Sequence, residues 1–231
     1  MLSKIFSDNI YLGEYGWHIG RFHFSFGDYE DPGNSHFGDL IAFNDFVVKP
    51  GSGFETHPHR EIEIISYCME GELTHSDSMG NTNTIRRGDV QYTCAGSGIT
   101  HSEMNNSPAS ALRFVQIWIR PNAERLPPFY ISKAFTREDR LNKFLQIATG
   151  KKLENGIQIN QDMDIYVSEI EAGRHVQAGQ ISTHLLYLSY LEGSLTINDL
   201  FLNEGDAVKV QDETALNLTA IENCHLIATT Q

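Results

Sequence analysis

The stretch Gly51-Ser52-Gly53-Phe54-Glu55-Thr56-His57-Pro58-His59-Arg60-Glu61-Ile62-Glu63 opens on a glycine turn and runs into a His-x-His pair. On an extended chain, side chains two apart point to one face, about 6.6 Å per step. His57 and His59 therefore converge on one side, with Pro58 turned the other way. Further along, Gly96-Ser97-Gly98-Ile99-Thr100-His101-Ser102-Glu103 repeats that geometry with His101 and Glu103. Two such strands brought face to face offer three imidazoles and one carboxylate, which is a metal site.

The ligand types define the chemistry. Imidazole and carboxylate suit first-row divalent ions such as iron, manganese, nickel, cobalt or copper. Zinc can use the same donors, but no thiolate is involved, which argues against a structural zinc of the cysteine-rich kind. Four protein ligands leave a six-coordinate ion two positions for water, substrate or dioxygen. A lone His-x-His reads most simply as surface or core histidines; the second cluster, again preceded by glycines, shifts the reading to a metal. The carboxylate stays open on spacing. Glu61 and Glu63 share parity with His57 and His59, and Glu61 can replace Glu103. Glu63 lies about 13 Å beyond His59 on a straight strand and needs a bend to reach the ion.

The 231 residues are 40% hydrophobic and 20% charged, ordinary for a globular chain with a full core. Seventeen basic against thirty acidic residues give a net charge of -13. Such a surface repels phosphate backbones, so direct nucleic-acid binding is not expected, while a protein partner stays open. Cys68, Cys94 and Cys224 are widely spaced and form no Cys-x-x-Cys pair, as expected of reduced core residues in a cytoplasmic protein. The stretch Met1 to Asp8 has no apolar run of signal-peptide length, and no eighteen-residue apolar run predicts a membrane span.

Short apolar or alternating runs separated by glycine turns dominate the chain. Strands are expected at Phe22–Phe26, Leu40–Val48, Ile62–Met69, Leu73–Ser76, Asn83–Arg86, Val90–Cys94 and Ala111–Arg120. The aromatic residues Tyr15, Trp17, Phe22, Phe24, Phe26 and Tyr29 read first as core, with an aromatic substrate pocket as the sharper alternative. Asp31-Pro32-Gly33-Asn34 reads as a turn, and Thr136-Arg137-Glu138-Asp139 resembles a capping box that starts a helical turn. Later strands are expected at Ile157–Asn160, Asp164–Ile170, Thr183–Leu191, Ser194–Ile197, Ala207–Val210, Leu216–Thr219 and His225–Thr229.

The second half echoes the first. Glu192-Gly193-Ser194-Leu195-Thr196-Ile197 matches Glu70-Gly71-Glu72-Leu73-Thr74-His75, and Glu204-Gly205-Asp206-Ala207 matches Arg87-Gly88-Asp89-Val90. An internal duplication of one all-β unit is expected, with domains at 1–130 and 131–231. Only the first copy carries the ligands. His175, His184 and His225 stand alone in the second and read as structural or surface residues.

These residues name a family. Gly51 to Glu63 and Gly88 through His101 to Asn105 resemble the two motifs of the cupin superfamily. His57-Pro58-His59-Arg60, Asp77-Ser78-Met79-Gly80-Asn81, Gly88-Asp89-Val90-Gln91, Gly96 to Glu103 and Gln116-Ile117-Trp118-Ile119 resemble pirins and the bacterial pirin-like quercetinases. The resemblance implies a bicupin of two β-sandwich (jelly-roll) barrels, with one divalent ion, Fe(II) first among the candidates, in the amino-terminal barrel. By position its ligands are His57, His59, His101 and Glu103. Glu61, where the animal form carries glycine, can act as a further carboxylate near the ion.

The implied activity is flavonol (quercetin-like) 2,3-dioxygenation of a small aromatic substrate with dioxygen, with Glu103 also the catalytic base. The alternative within the same resemblance is a metal-dependent or redox-sensing regulator of a protein partner.

Overall fold

The computed structural model describes residues 1–231 apart from 153–154, 179–180, 182–184 and 214. It is built almost wholly of strands. Those of the first half are β1 (Leu2–Ile5), β2 (Tyr11–Glu14), β3 (His18–Phe22), β4 (Leu40–Val48), β5 (Ser52–His59), β6 (Glu63–Glu70), β7 (Glu72–Asp77), β8 (Thr82–Arg86), β9 (Val90–Cys94), β10 (Ile99–Asn105) and β11 (Leu112–Ile119). Then come β12 (Phe129–Lys133), β13 (Leu145–Thr149), β14 (Ile157–Gln158), β15 (Asp164–Ile170), β16 (His175–Gln177), β17 (Leu185–Glu192), β18 (Ser194–Ile197), β19 (Leu200–Asn203), β20 (Ala207–Gln211), β21 (Asn217–Ala220) and β22 (Cys224–Thr230). Among the described residues no helix is long and apolar enough to cross a membrane.

The chain divides into two compact units, and the division differs from 1–130 and 131–231. The amino-terminal unit comprises residues 11–135 and 159–161; the carboxy-terminal unit comprises 1–10, 136–158 and 162–231. Strand pairing causes the difference. β1 pairs with β20, Leu2 opposite Val210 and Ile5 opposite Ala207, so the start of the chain belongs to the later unit. β12 pairs with β9 and stays with the earlier one.

Each unit is a sandwich of a seven-stranded and a four-stranded sheet. The large sheets run β12-β9-β6-β11-β4-β3-β2 and β1-β20-β17-β22-β15-β13-β14; the small ones run β5-β10-β7-β8 and β16-β21-β18-β19. The small sheets coincide position by position, and so do the central strands of the large ones, β9-β6-β11-β4 and β20-β17-β22-β15, which is the duplication seen as topology; at the edge β13 and β14 pair in parallel where β3 and β2 are antiparallel. The echoed glycines mark equivalent points. Gly71 and Gly193 both have positive φ, +76 and +84, and a Cβ on either would sit 2.5 or 2.2 Å from the carbonyl oxygen of Ala111 or Asn223. Only glycine meets both requirements there.

The sandwich interiors are apolar. Phe22, Phe46, Val48, Cys68, Leu73, Ile85, Leu112 and Phe114 form one cluster of the amino-terminal unit, with Tyr15, Trp17, Phe26, Tyr29 and Phe54 packed against it. The expected strand through Phe26 ends at Phe22. Ser25 Oγ donates to the Asp31 carbonyl and accepts the Asp31 N–H, both at 2.8 Å, and these bonds replace the ladder. The turn at Asp31 follows as expected, with its carboxylate accepting the Gly33 N–H at 2.9 Å. Asp139 accepts from the Thr136 N–H and hydroxyl, both at 2.8 Å, at the head of the short helix α1 (Arg137–Arg140).

Gly193→Ala should lower stability by more than about 1 kcal/mol, because alanine meets both the positive φ and the Asn223 carbonyl. Urea unfolding with the far-ultraviolet dichroism spectrum as control measures it; an unchanged midpoint would show that this turn tolerates a side chain.

Candidate metal centre

β5 and β10 are antiparallel neighbours in the small sheet of the amino-terminal unit, with His101 opposite His57 and Thr100 opposite Pro58. Alternation then places the histidines on one face and Pro58 and Thr100 on the other. One ring nitrogen from each of His57, His59 and His101 lies within 4.8 Å of the other two. The His57 Nδ1–H donates to the Glu55 carbonyl at 2.6 Å, which leaves the Nε2 lone pair free. Burial, with the neighbouring His101 and His57, pushes His59 down to about 4. Burial, then His57 and His75, pushes His101 down to about 3. Both rings are therefore neutral near pH 7, the form that binds a metal. His101 is 1% exposed, and neither of its ring nitrogens has a hydrogen-bond partner.

Glu103 lies beside this trio but is not one of the three groups within 4.8 Å. A bulge after His101 shifts the register, so that Glu103 stands opposite Phe54. Its carboxylate is held from the large sheet: Oε1 accepts from Ser66 Oγ at 2.9 Å and Gln91 Nε2 at 2.8 Å, and Oε2 from Gln116 Nε2 at 2.6 Å. These donors form a transverse row of directly opposed residues, Asn44–Gln116–Ser66–Gln91. Behind them, Trp118 Nε1 donates to Gln116 Oε1 at 2.9 Å and the Tyr130 hydroxyl to Gln91 Oε1 at 3.2 Å. Asn44 ends the row fully buried, with neither amide atom partnered. Sequence reading passed over Ser66, Gln91 and Asn44 as site residues. The signal available was a single polar residue inside an otherwise apolar strand.

Glu61 and Glu63 are directed elsewhere, which corrects the placing of Glu61 near the ion. β5 ends at His59, and Glu61 has φ 52, so the two-residue alternation behind the parity argument stops before it. The Glu61 carboxylate accepts the Arg125 N–H at 3.1 and 3.2 Å. Glu63, fully buried, accepts from the Tyr92 hydroxyl, the Asn160 N–H at 2.7 Å and the Gln161 N–H at 2.9 Å. It fixes residues 159–161 into this unit.

The second unit has apolar residues at the equivalent points. By register, Leu218 takes the place of Glu103 and Leu216 that of His101, and Ile197 replaces His75. The polar row becomes Tyr166–Ala228–Leu188–Val208. All seven lie in one buried apolar cluster. His175 is exposed and bonds Thr219 Oγ1 at 2.7 Å; His225 is buried 3.6 Å from Glu169 and 3.8 Å from Glu192. His184 lies outside the described residues.

Two cavities lie in the amino-terminal unit. One, of about 110 Å³, is walled by Tyr15, His18, Phe22, Phe26, Phe46 and Phe54, so the early aromatic residues serve both as core and as lining. The other, of about 550 Å³, is lined by His59 together with Pro58, Arg60, Ser78, Ile99 and Thr100.

Duplicated sandwiches with a histidine trio in one copy define a bicupin with, among the described residues, a single candidate metal centre. More closely, the chain belongs to the pirin family. The Pirin family model matches residues 6–119, and the model for the quercetinase C-terminal cupin domain matches residues 146–228. A pirin-like protein of Caulobacter vibrioides is 35% identical over 229 residues, 95% of each chain. A quercetin 2,3-dioxygenase of Escherichia coli K12 is 32% identical over 209 residues, 89% of this chain and 88% of the relative. The crystal structure of the bacterial pirin YhhW from Escherichia coli, in complex with nickel(II), superposes with a TM-score of 0.92 at 28% identity, over 99% of this chain and 98% of that one.

Glu63→Gln should destabilise the protein by about 2 kcal/mol, because the amide turns an NH2 on donors that need a carboxylate. Thermal unfolding alongside metal analysis checks this. A variant of unchanged stability that lost metal would return Glu63 to the ligand set.

Proposed function

We propose that the chain is a metal-dependent oxidoreductase of the quercetin 2,3-dioxygenase type, holding one divalent ion through His57, His59, His101 and Glu103. The observation that carries this reading is His101, buried among the other imidazoles with both nitrogens unpartnered. Such atoms are rare in folded proteins unless an ion or water satisfies them. Three imidazoles and a carboxylate fit Fe(II), with manganese, nickel, cobalt, copper and zinc as competitors. The names of the Escherichia coli relatives, one a quercetin 2,3-dioxygenase and one a nickel-bound pirin, support the same reading.

When bound, the ion supplies Lewis acidity toward a substrate hydroxyl and a redox centre for dioxygen. Glu103 supplies the base. Its Oε1 already accepts two hydrogen bonds and its Oε2 only one, so the one remaining lone pair is on Oε2, open either to the ion or to the proton of a flavonol 3-hydroxyl. Tyr15, Phe22, Phe26, Phe46 and Phe54 offer apolar surface to an aromatic ring. Overall, quercetin and dioxygen give a depside and carbon monoxide.

One observation favours the second reading, a metal-dependent binding or redox-sensing protein that acts on a protein partner. The aromatic cavity, at about 110 Å³, is smaller than the roughly 300–1,000 Å³ of sites for drug-sized ligands.

Metal analysis should find one ion per chain, and His101→Ala should largely remove it with the β spectrum intact. Dioxygen uptake with quercetin, normalised to bound metal, should fall roughly 10²- to 10⁴-fold in Glu103→Gln, since an amide cannot accept the proton. Equal rates per metal would remove Glu103 as the base. No uptake with any of the six metals would leave the regulatory reading.

A further inference from the structure

The donors that hold Glu103 are themselves oriented from behind. Gln116 Nε2 faces Glu103 Oε2 at 2.6 Å, and Gln116 Oε1 faces Trp118 Nε1 at 2.9 Å. A half-turn of a glutamine amide exchanges its oxygen and nitrogen, so nothing within Gln116 decides which one meets the carboxylate. Trp118 does decide it. An indole N–H can only donate. Gln116 must therefore present its oxygen to Trp118, which leaves its NH2 for Glu103. The other branch is similar: the Tyr130 hydroxyl donates to Gln91 Oε1, and burial, which pushes Tyr130 up to about 12, keeps that hydroxyl protonated.

We propose that Trp118 is a positioning residue for the metal centre, acting through Gln116 to keep an N–H donor on Glu103 Oε2 and leave that oxygen's one remaining lone pair to a divalent ion. The inference rests on the reading of Glu103 as a ligand. With the amide reversed, Gln116 would set an oxygen against the carboxylate. Glu103 would then be repelled from the place its other donors hold it, which weakens its hold on a cation. The second unit agrees. Where Leu218 stands for Glu103, register places Ala228 at the Gln116 position and Thr230 at the Trp118 position, so amide and indole are lost together with the carboxylate.

Trp118 also has a packing role, and the test must separate the two. Its ring meets His59 edge-on at 4.9 Å and Phe26 at 4.8 Å, contacts that phenylalanine largely retains. The experiment is nickel(II) titration of the metal-stripped full chain, comparing wild type, Trp118→Phe, Gln116→Met and the double variant, with the apo-protein melting temperature of each. Trp118→Phe should weaken nickel binding about 10-fold, within the usual range for groups behind a ligand. Gln116→Met should weaken it at least as much. The double variant should bind no more weakly than Gln116→Met alone, because Trp118 has nothing left to act through. Wild-type affinity in Trp118→Phe, or losses that multiply in the double variant, would overturn the proposal in favour of packing on His59. Should Gln116→Met not fold, Gln116→Glu serves: it keeps the acceptor for Trp118 but turns an oxygen on Glu103, and must bind nickel more weakly than Trp118→Phe. Quercetin turnover is read separately. A wild type that binds nickel but consumes no dioxygen with any of the six metals ends the dioxygenase reading and leaves this inference standing, whereas one that binds none of the six ends both.

Discussion

A carboxylate 2% exposed inside a β-sandwich is the constraint on which the amino-terminal unit depends. Taking such a charge out of water costs on the order of several kcal/mol unless donors or a cation meet it. Three donors from three neighbouring strands meet Glu103, and they do so only because β11, β6 and β9 are in one register. A slip of one residue in any of these pairings would turn its donor to the opposite face. The chemistry of the centre is thus tied to the alignment of the large sheet, and not merely to the two strands that carry the histidines.

The duplication offers a comparison within one molecule. Both units share the central strand order and the turn glycine of positive φ, yet the later one has leucine, isoleucine, valine, alanine and a tyrosine where the earlier has its buried polar groups. The sandwich closes without any of the polar set, so that set is not needed for folding. Its presence in the earlier unit, with unpartnered nitrogens on His101 and an unpartnered amide on Asn44, is a local departure from an apolar core. Such departures concentrate where a protein binds something.

Much of this was legible in the sequence. Leu40–Val48 and Val90–Cys94 match β4 and β9 residue for residue, because long apolar or alternating runs between glycine turns leave few alternatives. The histidines were legible for the same reason, since the period of two holds along β5 as far as His59. It misled at Glu61, whose left-handed backbone breaks the period, a conformation uncommon enough for glutamate that spacing gave no warning. β1, β12 and β13 were missed as strands because their short, mixed sequences carry no clear period and sheet pairing imposes their extended state. Ser66, Gln91 and Gln116 lie far apart in sequence and become neighbours only through register, which no local window contains.

The pairing of β1 with β20 also bears on the order in which the protein can be completed. During synthesis the chain emerges amino terminus first, at about 5–20 residues per second. Leu2–Ile5 leave the ribosome long before their partner, Ala207–Gln211. All the histidines of the trio, and the donors around Glu103, lie between those two segments. The earlier sandwich can therefore close while the strand that begins the chain still waits, unpaired, for the other sandwich to exist.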